Sequence, residues 1–246
     1  MSMLINLETV HKPQTIDEAA ALIERQGVYP LYGGGAYLLR AAINEAHSAV
    51  DMGAVVSAGF SSAGSVPWLG ACATLETMGA FDEHFRLVVA AEAPLNLRNS
   101  LTLGDMLLET PSDSPLIALL MGLEARVVCY AHPSYSMEDW FRQGLLWRTQ
   151  RTILRVELPG YNAGQVSIAF EKVARTPADR PIVAALAIWD RRYEQSLRVV
   201  ALGMESHPVW YVEGMQSTLD DFKGSAEYRA AVMPHLVEMA RAKVRA

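Results

Sequence analysis

A glycine-rich segment is the part of this chain best suited to bind a charged group, because backbone without side chains can approach a phosphate closely. Consecutive glycines lack the Cβ atoms that would block an anion and tolerate positive φ, so successive N–H groups can converge on one point. The segment follows an apolar stretch, Val28 to Leu31, and precedes a helix-compatible one, Leu38 to Ile43. It predicts a phosphate-bearing ligand, with a plain glycine turn between strand and helix as the alternative. Its residues are Tyr32, Gly33, Gly34, Gly35, Ala36, Tyr37 and Leu38.

The segment does not match the two standard nucleotide-binding motifs. The dinucleotide pattern G-x-G-x-x-G requires a third glycine where this chain has Leu38. It also requires an acid about 20 residues further on, for which Asp51 is only an approximate candidate. A Walker loop requires Gly-Lys-Ser/Thr, which does not follow here. The sequence therefore disfavours both motifs.

Hydrolytic and metal chemistry have little support in the sequence. Gly59 to Ala63 comes close to the G-x-S-x-G pattern of a nucleophile elbow, but the last position is alanine. Cys72 and Cys129 are far apart and have neither CxxC spacing nor a histidine pair nearby. We therefore predict no metal site and no iron–sulfur cluster in this chain, and expect both cysteines to be reduced core thiols.

A second glycine-bearing segment, Arg98 to Asp105, precedes a loop of small residues, Pro111 to Leu116. Two backbone loops that face each other can grip a diphosphate, so we expect this segment to lie opposite the first one. In that geometry the Asp113 carboxylate would accept a hydrogen bond from a ribose or an adenine. Ser-Asp before Pro is equally typical of the start of a helix.

The elements that would position these loops follow an α+β pattern. Thr15 and Glu18 predict a capping box at the start of a helix, which Gly27 ends. After Gly144, runs rich in Val, Ile and Leu alternate with turn residues, which predicts a small sheet closed by helices. These runs are 153–158, 165–174, 182–189 and 197–203. We predict a first domain over residues 1–150, with subdomains of about 1–55 and 56–150, and a second domain over 151–246.

Composition and charge restrict the partners. The 246 residues are 51% hydrophobic and 20% charged, as in an ordinary globular protein. A net charge of −6 argues against nucleic acid or an anionic membrane surface, because both require a basic face. The first residues lack the basic region of a signal peptide, and the longest apolar stretch, Pro115 to Leu123, is about half of the roughly 20 residues that span a membrane. We expect a cytoplasmic protein without a membrane span.

Taken together, the motifs resemble the FAD-binding medium subunit of the molybdenum hydroxylases, the group that includes xanthine dehydrogenase and aerobic carbon monoxide dehydrogenase. Tyr32 to Gly35 is similar to the family's A-G-G-[ST] loop, and Gly70 to Glu76 to its G-A-x-x-T-x-x-[ED] segment. Arg98 to Met106 is similar to R-N-x-x-T-x-G-G-N. The remaining matches, in family order, are 112–119, 137–144, 153–159, 170–175 and 227–229.

The resemblance implies a cofactor and partners. Such subunits bind FAD in a two-part N-terminal domain, followed by a smaller α+β domain. Their flavin passes electrons between the iron–sulfur clusters of a partner and an acceptor. The implied partners are a molybdopterin-binding large subunit and an iron–sulfur small subunit. Besides Tyr32 to Leu38, the implied FAD contacts are Thr102, Leu103 and Gly104 at the pyrophosphate, Asp113 on the adenosine side, and Ile153 and Lys172 near the flavin.

The second loop departs from the family pattern, because Asp105 and Met106 replace the second glycine and the asparagine of G-G-N. An acid about 4 to 6 Å from a pyrophosphate costs about 1 kcal/mol when solvated and up to about 4 when partly buried. The sequence therefore predicts that Asp105→Gly with Met106→Asn strengthens FAD binding at least about tenfold. Three functions stay open: an FAD-binding electron-transfer subunit, a scaffold or binding protein of the same fold that has lost FAD, and an unrelated binder of a phosphate ligand.

Overall fold

The structure is a computed structural model that describes residues 7–33, 48–109, 111–177, 179–193 and 196–245. Of the first glycine segment, Tyr32 and Gly33 are described, and Gly34, Gly35, Ala36, Tyr37 and Leu38 lie outside the described residues. The strands are, in chain order, β1 (Thr9–His11), β2 (Val28–Leu31), β3 (Ser48–Asp51), β4 (Phe60–Ser61), β5 (Trp68–Gly70), β6 (Arg126–Cys129), β7 (Tyr135–Ser136), β8 (Ile153–Glu157), β9 (Val166–Val173), β10 (Val183–Asp190), β11 (Arg198–Leu202) and β12 (Val209–Trp210). The helices are α1 (Ile16–Ile23), α2 (Leu75–Gly79), α3 (Glu83–Glu92), α4 (Leu95–Arg98), α5 (Leu103–Glu109), α6 (Pro115–Gly122), α7 (Met137–Arg142), α8 (Leu145–Thr149) and α9 (Ala226–Val244).

The chain forms two compact units, and each of them is assembled from three chain segments. The first unit comprises Met1–Met78, Asn96–Glu109 and Arg126–Glu157. The second unit comprises Gly79–Leu95, Thr110–Ala125 and Leu158–Ala246. Each unit combines segments that are distant in the sequence, so it does not correspond to one continuous domain. The predicted domain division at residue 150 remains a prediction.

A three-stranded parallel sheet in the first unit leads into the first glycine segment. Its strand order is β1-β3-β2, and Ser48 lies opposite Thr9 on one side and Val28 on the other. All pairings are parallel, and α1 connects β1 to β2, which lie on opposite sides of β3. Since β2 ends at Leu31, Tyr32 and Gly33 directly follow a strand, as the sequence predicts.

The capping box predicted for α1 is confirmed. The Thr15 hydroxyl accepts a hydrogen bond from the Glu18 N–H at 3.2 Å. The Glu18 carboxylate in turn accepts one from the Gln14 N–H at 2.9 Å. Both bonds satisfy donors that precede or begin the helix and have no partner within it.

A five-stranded antiparallel sheet completes the sheet structure of the first unit. Its order is β4-β5-β8-β6-β7, and Val156 of β8 lies opposite both Leu69 and Val127. The prediction that run 153–158 joins the later apolar runs in one sheet is therefore wrong. The local pattern correctly marks a strand, but its two neighbours come from distant parts of the chain, and a local pattern carries no information about them.

The second unit is built on a four-stranded antiparallel sheet in the order β12-β11-β10-β9. Three of the four predicted runs form β9, β10 and β11, which confirms a small sheet closed by helices. Ala185 and Ala187 of β10 belong to one apolar cluster with Met233 and Leu236 of α9. Successive residues of a strand point to opposite faces, so the other face of β10 is free to pack against α6.

The α6 helix lies very close to that other face. A Cβ on Gly122 would lie 1.7 Å from Cδ1 of Ile188 and 3.6 Å from Cγ2 of Val200. With a helix on each face, β10 is buried along nearly its whole length, which explains why its sequence is apolar without alternation. Among the described residues, no helix combines the length and the hydropathy required to cross a membrane.

Candidate functional site

The first glycine segment begins with a tyrosine that is tied into the core. The Tyr32 side chain is 3% exposed, and its hydroxyl accepts a hydrogen bond from the Ile153 N–H at 2.7 Å. The same hydroxyl donates to the Arg151 carbonyl at 3.4 Å. Burial raises the pKa of the Tyr32 phenol well above its usual value, so the group stays neutral and keeps both bonds. The backbone N–H of Ile153, a residue predicted to lie near a flavin, is thus already occupied.

The second glycine-bearing segment forms the start of α5. The Leu103 N–H donates to the Ala73 carbonyl at 2.9 Å, and the Gly104 N–H donates to the Ala71 carbonyl at 2.8 Å. The next two amides donate to Thr102. The Asp105 N–H donates to its hydroxyl at 3.4 Å, and the Met106 N–H donates to its carbonyl at 3.0 Å. A helix start normally offers such amides to a ligand, but here each of the four has a partner within the protein.

The structure brings the two glycine segments together, as the sequence predicts. A Cβ on Gly33 would lie 2.4 Å from Cγ2 and 3.1 Å from Oγ1 of Thr102. A Cβ on Gly104 would lie 2.3 Å from Cγ of Tyr32. Real Cβ atoms do not approach other atoms this closely, so glycine is required at both positions for the segments to touch. At these residues the segments pack on each other and leave no gap for a diphosphate between them.

The two residues that depart from the family pattern are buried in this same region. Asp105 is 1% exposed and Met106 is fully buried. A Cβ on Gly33 would lie 3.2 Å from Oδ2 of Asp105, so the carboxylate faces the first segment. Burial raises the pKa of the Cys72 thiol to about 12, and the nearby Asp105 charge contributes in the same direction. An acidic side chain therefore lies beside the backbone that was predicted to receive a phosphate.

The predicted FAD residues of the second unit also have partners within the protein. The Asp113 carboxylate, 6% exposed, lies 2.5 Å from Nζ of Lys223 and 3.8 Å from Nη1 of Arg180. The Lys172 ammonium donates to the carbonyls of Pro177 and Asp179 at 2.8 and 2.7 Å. Partial burial lowers the pKa of Lys172. Both side chains are thus held by contacts within the second unit.

Sequence reasoning missed the buried charges that organise the second unit. The Glu92 carboxylate is fully buried, accepts from the Ser114 hydroxyl at 2.7 Å and the Leu116 N–H at 3.0 Å, and lies 2.7 Å from Nη2 of Arg180. Arg229, 1% exposed, donates to the carbonyls of Gly224 and Gly203 at 3.2 and 2.9 Å. A glutamate and an arginine in helical sequence are typical of a solvated surface, and nothing local reveals their distant partners.

As placed in the structure, the described residues do not fit a pyrophosphate. The amides of the second segment are engaged, its contact with the first segment is closed, and Asp105 is an acid where an anion would bind. The role of Tyr32, Gly33, Thr102, Leu103 and Gly104 in cofactor binding stays a prediction of the sequence.

Comparison with known proteins establishes the fold. No family model matches the chain, and no curated protein matches it in sequence. A chain of the Hydrogenophaga pseudoflava carbon monoxide dehydrogenase that lacks the Mo-pyranopterin moiety superposes with a TM-score of 0.82 at 16% identity, over 97% of both chains. For reconstituted CO dehydrogenase from Oligotropha carboxidovorans the TM-score is 0.80 at 18% identity, over 96% of both chains. Quinoline 2-oxidoreductase from Pseudomonas putida 86 gives 0.79 at 19% identity, over 96% of both chains. The chain thus shares, along nearly its whole length, the fold of chains in these oxidoreductases, which confirms the α+β class.

Proposed function

We propose that this chain is a subunit of an oxidoreductase complex of the molybdenum hydroxylase type, in the position of the family's FAD-binding medium subunit. The observation that supports this most is the mutual coverage of 97% with a chain of carbon monoxide dehydrogenase at a TM-score of 0.82. A fold retained over nearly the whole length of both chains supports an equivalent place in a complex.

Within such a complex, the geometry of the site favours a structural role. The partners would be a molybdopterin-binding large subunit and an iron–sulfur small subunit, as the sequence resemblance implies. The chain would hold these partners together and supply no redox group of its own. The free, buried thiols of Cys72 and Cys129 are compatible with the reducing cytoplasm, where we place the complex.

FAD-binding electron transfer is the second candidate, and the glycines retained from Gly33 to Gly35 favour it. In that case the contact residues would be those that the resemblance implies, among them Asp113, Ile153 and Lys172. The two candidates share the same partners and differ only in the bound cofactor.

Co-purification from the native cells tests the subunit role. We expect an affinity-tagged chain to bring down two further polypeptides, one with molybdenum and one with iron, in equal molar amounts. The control is the same preparation from cells that carry the tag on an unrelated protein. A chain that purifies alone from cells with an active molybdenum enzyme, or that oxidises a purine, an aldehyde or carbon monoxide unaided, would contradict the proposal.

A further inference from the structure

We infer that the described residues of the FAD site implied by this fold are closed to the cofactor by the protein's own contacts, centred on Tyr32, and that the chain folds without a flavin. The inference deepens the proposed function and rests on it only in taking FAD as the cofactor that the fold implies. Four groups of contacts carry it, and they concern hydrogen-bond donors, space, charge and the residues of the second unit.

The first group of contacts concerns the backbone hydrogen-bond donors. Where no metal ion or basic side chain binds it, a pyrophosphate is held by N–H groups. The amides of Leu103 and Gly104 donate to the Ala73 and Ala71 carbonyls at 2.9 and 2.8 Å, which are good bond lengths. A ligand could take these donors only by leaving two carbonyls without partners inside the protein, where an unsatisfied group is costly. The Ile153 N–H is held in the same way by the Tyr32 hydroxyl.

The second group of contacts fills the space between the two glycine segments. The Tyr32 side chain packs on the Cα of Gly104, since a Cβ there would lie within 2.3 to 2.7 Å of three of its atoms. Thr102 packs on Gly33 in the same manner, since a Cβ added there would lie only 2.4 Å from the Thr102 Cγ2. Glycines that would admit a phosphate in an open site thus serve here to admit a tyrosine and a threonine.

The third group of contacts concerns the acidic side chain of Asp105. Asp105 is 1% exposed and its carboxyl group lies in the contact between the two segments, where water screens charges weakly. Repulsion of an anion at about 4 to 6 Å weakens binding from about tenfold to a thousandfold as the site becomes less solvated. The carboxylate therefore opposes the same ligand that the occupied donors cannot hold.

The second unit gives an independent indication. Asp113 would have to accept from an adenosine group, but Lys223 lies 2.5 Å away and Arg180 3.8 Å away. Lys172 is held by two carbonyls at 2.7 and 2.8 Å. Asp113 and Lys172 are thus both engaged by groups of the protein itself, although neither has all of its hydrogen-bonding capacity used.

This geometry changes the outcome expected for the restored second loop. From the sequence, Asp105→Gly with Met106→Asn should strengthen FAD binding about tenfold. In the structure, these substitutions remove the charge but leave the Tyr32 contact and the bonds to Ala71 and Ala73 in place. Met106→Asn also places an amide at a fully buried position. We now expect no gain in FAD binding from removing the charge alone.

Titration of the full-length chain with FAD tests the closed site. The native chain and Asp105→Asn, which keeps the side-chain shape, are titrated and followed by flavin fluorescence and by the thermal midpoint. We expect neither protein to show saturable binding or a shift of the midpoint, and we expect acid denaturation of freshly purified chain to release no stoichiometric flavin. Circular dichroism confirms that Asp105→Asn is folded.

Three results would overturn the inference. They are one-site binding of FAD by the native chain, release of one flavin per chain, and binding that appears in Asp105→Asn alone, which would make the charge the sole obstacle. None of them affects the subunit role, which depends on co-purification. Conversely, a chain that purifies without partners and binds no FAD leaves the closed site intact and removes the subunit role.

Discussion

At the scale of the residue, Tyr32 makes two kinds of contact in the region where the sequence predicts a ligand. Its hydroxyl fills the hydrogen bond of a buried amide, and its ring fills the space beside Gly104. A neutral phenol can do both because it is donor and acceptor at once. The sequence around Tyr32 points to an open glycine loop, since the partner amide at Ile153 lies far away in the chain.

We expect Tyr32→Phe to lower the free energy of unfolding by about 1 to 3 kcal/mol, because the buried Ile153 N–H loses its acceptor. Urea denaturation measures the difference. The matched control is Tyr193→Phe, where the side chain is 63% exposed and a change near zero is expected. Equal effects of the two substitutions would show that the Tyr32 hydroxyl bond contributes nothing.

The two buried thiols predict how the cysteines react before and after unfolding. Burial raises the pKa values of Cys72 and Cys129 to about 12, so at pH 8 neither is a thiolate in the folded chain. We expect a thiol reagent to modify neither cysteine until the protein unfolds, and then to modify both.

The same shift makes stability depend on alkaline pH. The unfolded thiols lose their protons near pH 9, whereas the folded ones keep them to about pH 12. Between these values the unfolded chain binds fewer protons, so its relative free energy falls and stability decreases as the pH rises. The double variant Cys72→Ala with Cys129→Ala should lose less stability over this range than the native chain. Parallel losses would contradict the assignment.

At the scale of the element, α5 packs against the end of β2 only because position 104 is a glycine. An alanine normally stabilises a helix by about 1 kcal/mol relative to glycine. In Gly104→Ala the Cβ would meet the Tyr32 ring at 2.3 Å, so we expect a net loss of about 1 to 3 kcal/mol. The control is Gly79→Ala in α2, where the nearest atom would lie at 3.6 Å and no loss is expected. A stabilised Gly104→Ala would show that the ring moves freely.

The close approach of α6 to β10 is testable by compensation. Gly122→Ala places a Cβ 1.7 Å from Cδ1 of Ile188 and should cost about 1 to 3 kcal/mol. Ile188→Val removes that Cδ1 atom and by itself should cost about 0.5 to 1.5 kcal/mol. The double variant should lose clearly less than the sum of the two, by about 1 kcal/mol in a denaturation cycle. Additive losses would mean that the helix avoids the contact by shifting.

Sequence alone predicts these elements well where the signal is local. The α1 cap depends on Thr15 and Glu18, three residues apart, and the later strands depend on continuous apolar runs. The sequence also singles out Asp105 in the second segment, and the structure places its carboxylate against the first one. The sequence does not reveal that β8 pairs with β5 and β6, nor that Glu92 meets Arg180, because these contacts join distant segments.

At the scale of the whole molecule, the fold is shared although the sequences differ widely. Sequence identity of 16 to 19% with the structural neighbours goes together with coverage of at least 96% of each chain. A core requires only apolar residues of suitable volume, and many sequences meet that requirement. A cofactor site requires particular donors, space and charge, and a few substitutions are enough to remove it. A fold can therefore outlast a cofactor site.

Both proposals can be tested on one sample of the purified complex. We expect the assembly isolated through this chain to contain about one molybdenum per chain, with iron from the small subunit, and no stoichiometric flavin from the closed site. Metal analysis and acid-released flavin fluorescence on the same sample give both ratios. Molybdenum together with one flavin per chain would contradict the closed site and leave the subunit role intact. Absence of molybdenum would contradict the subunit role.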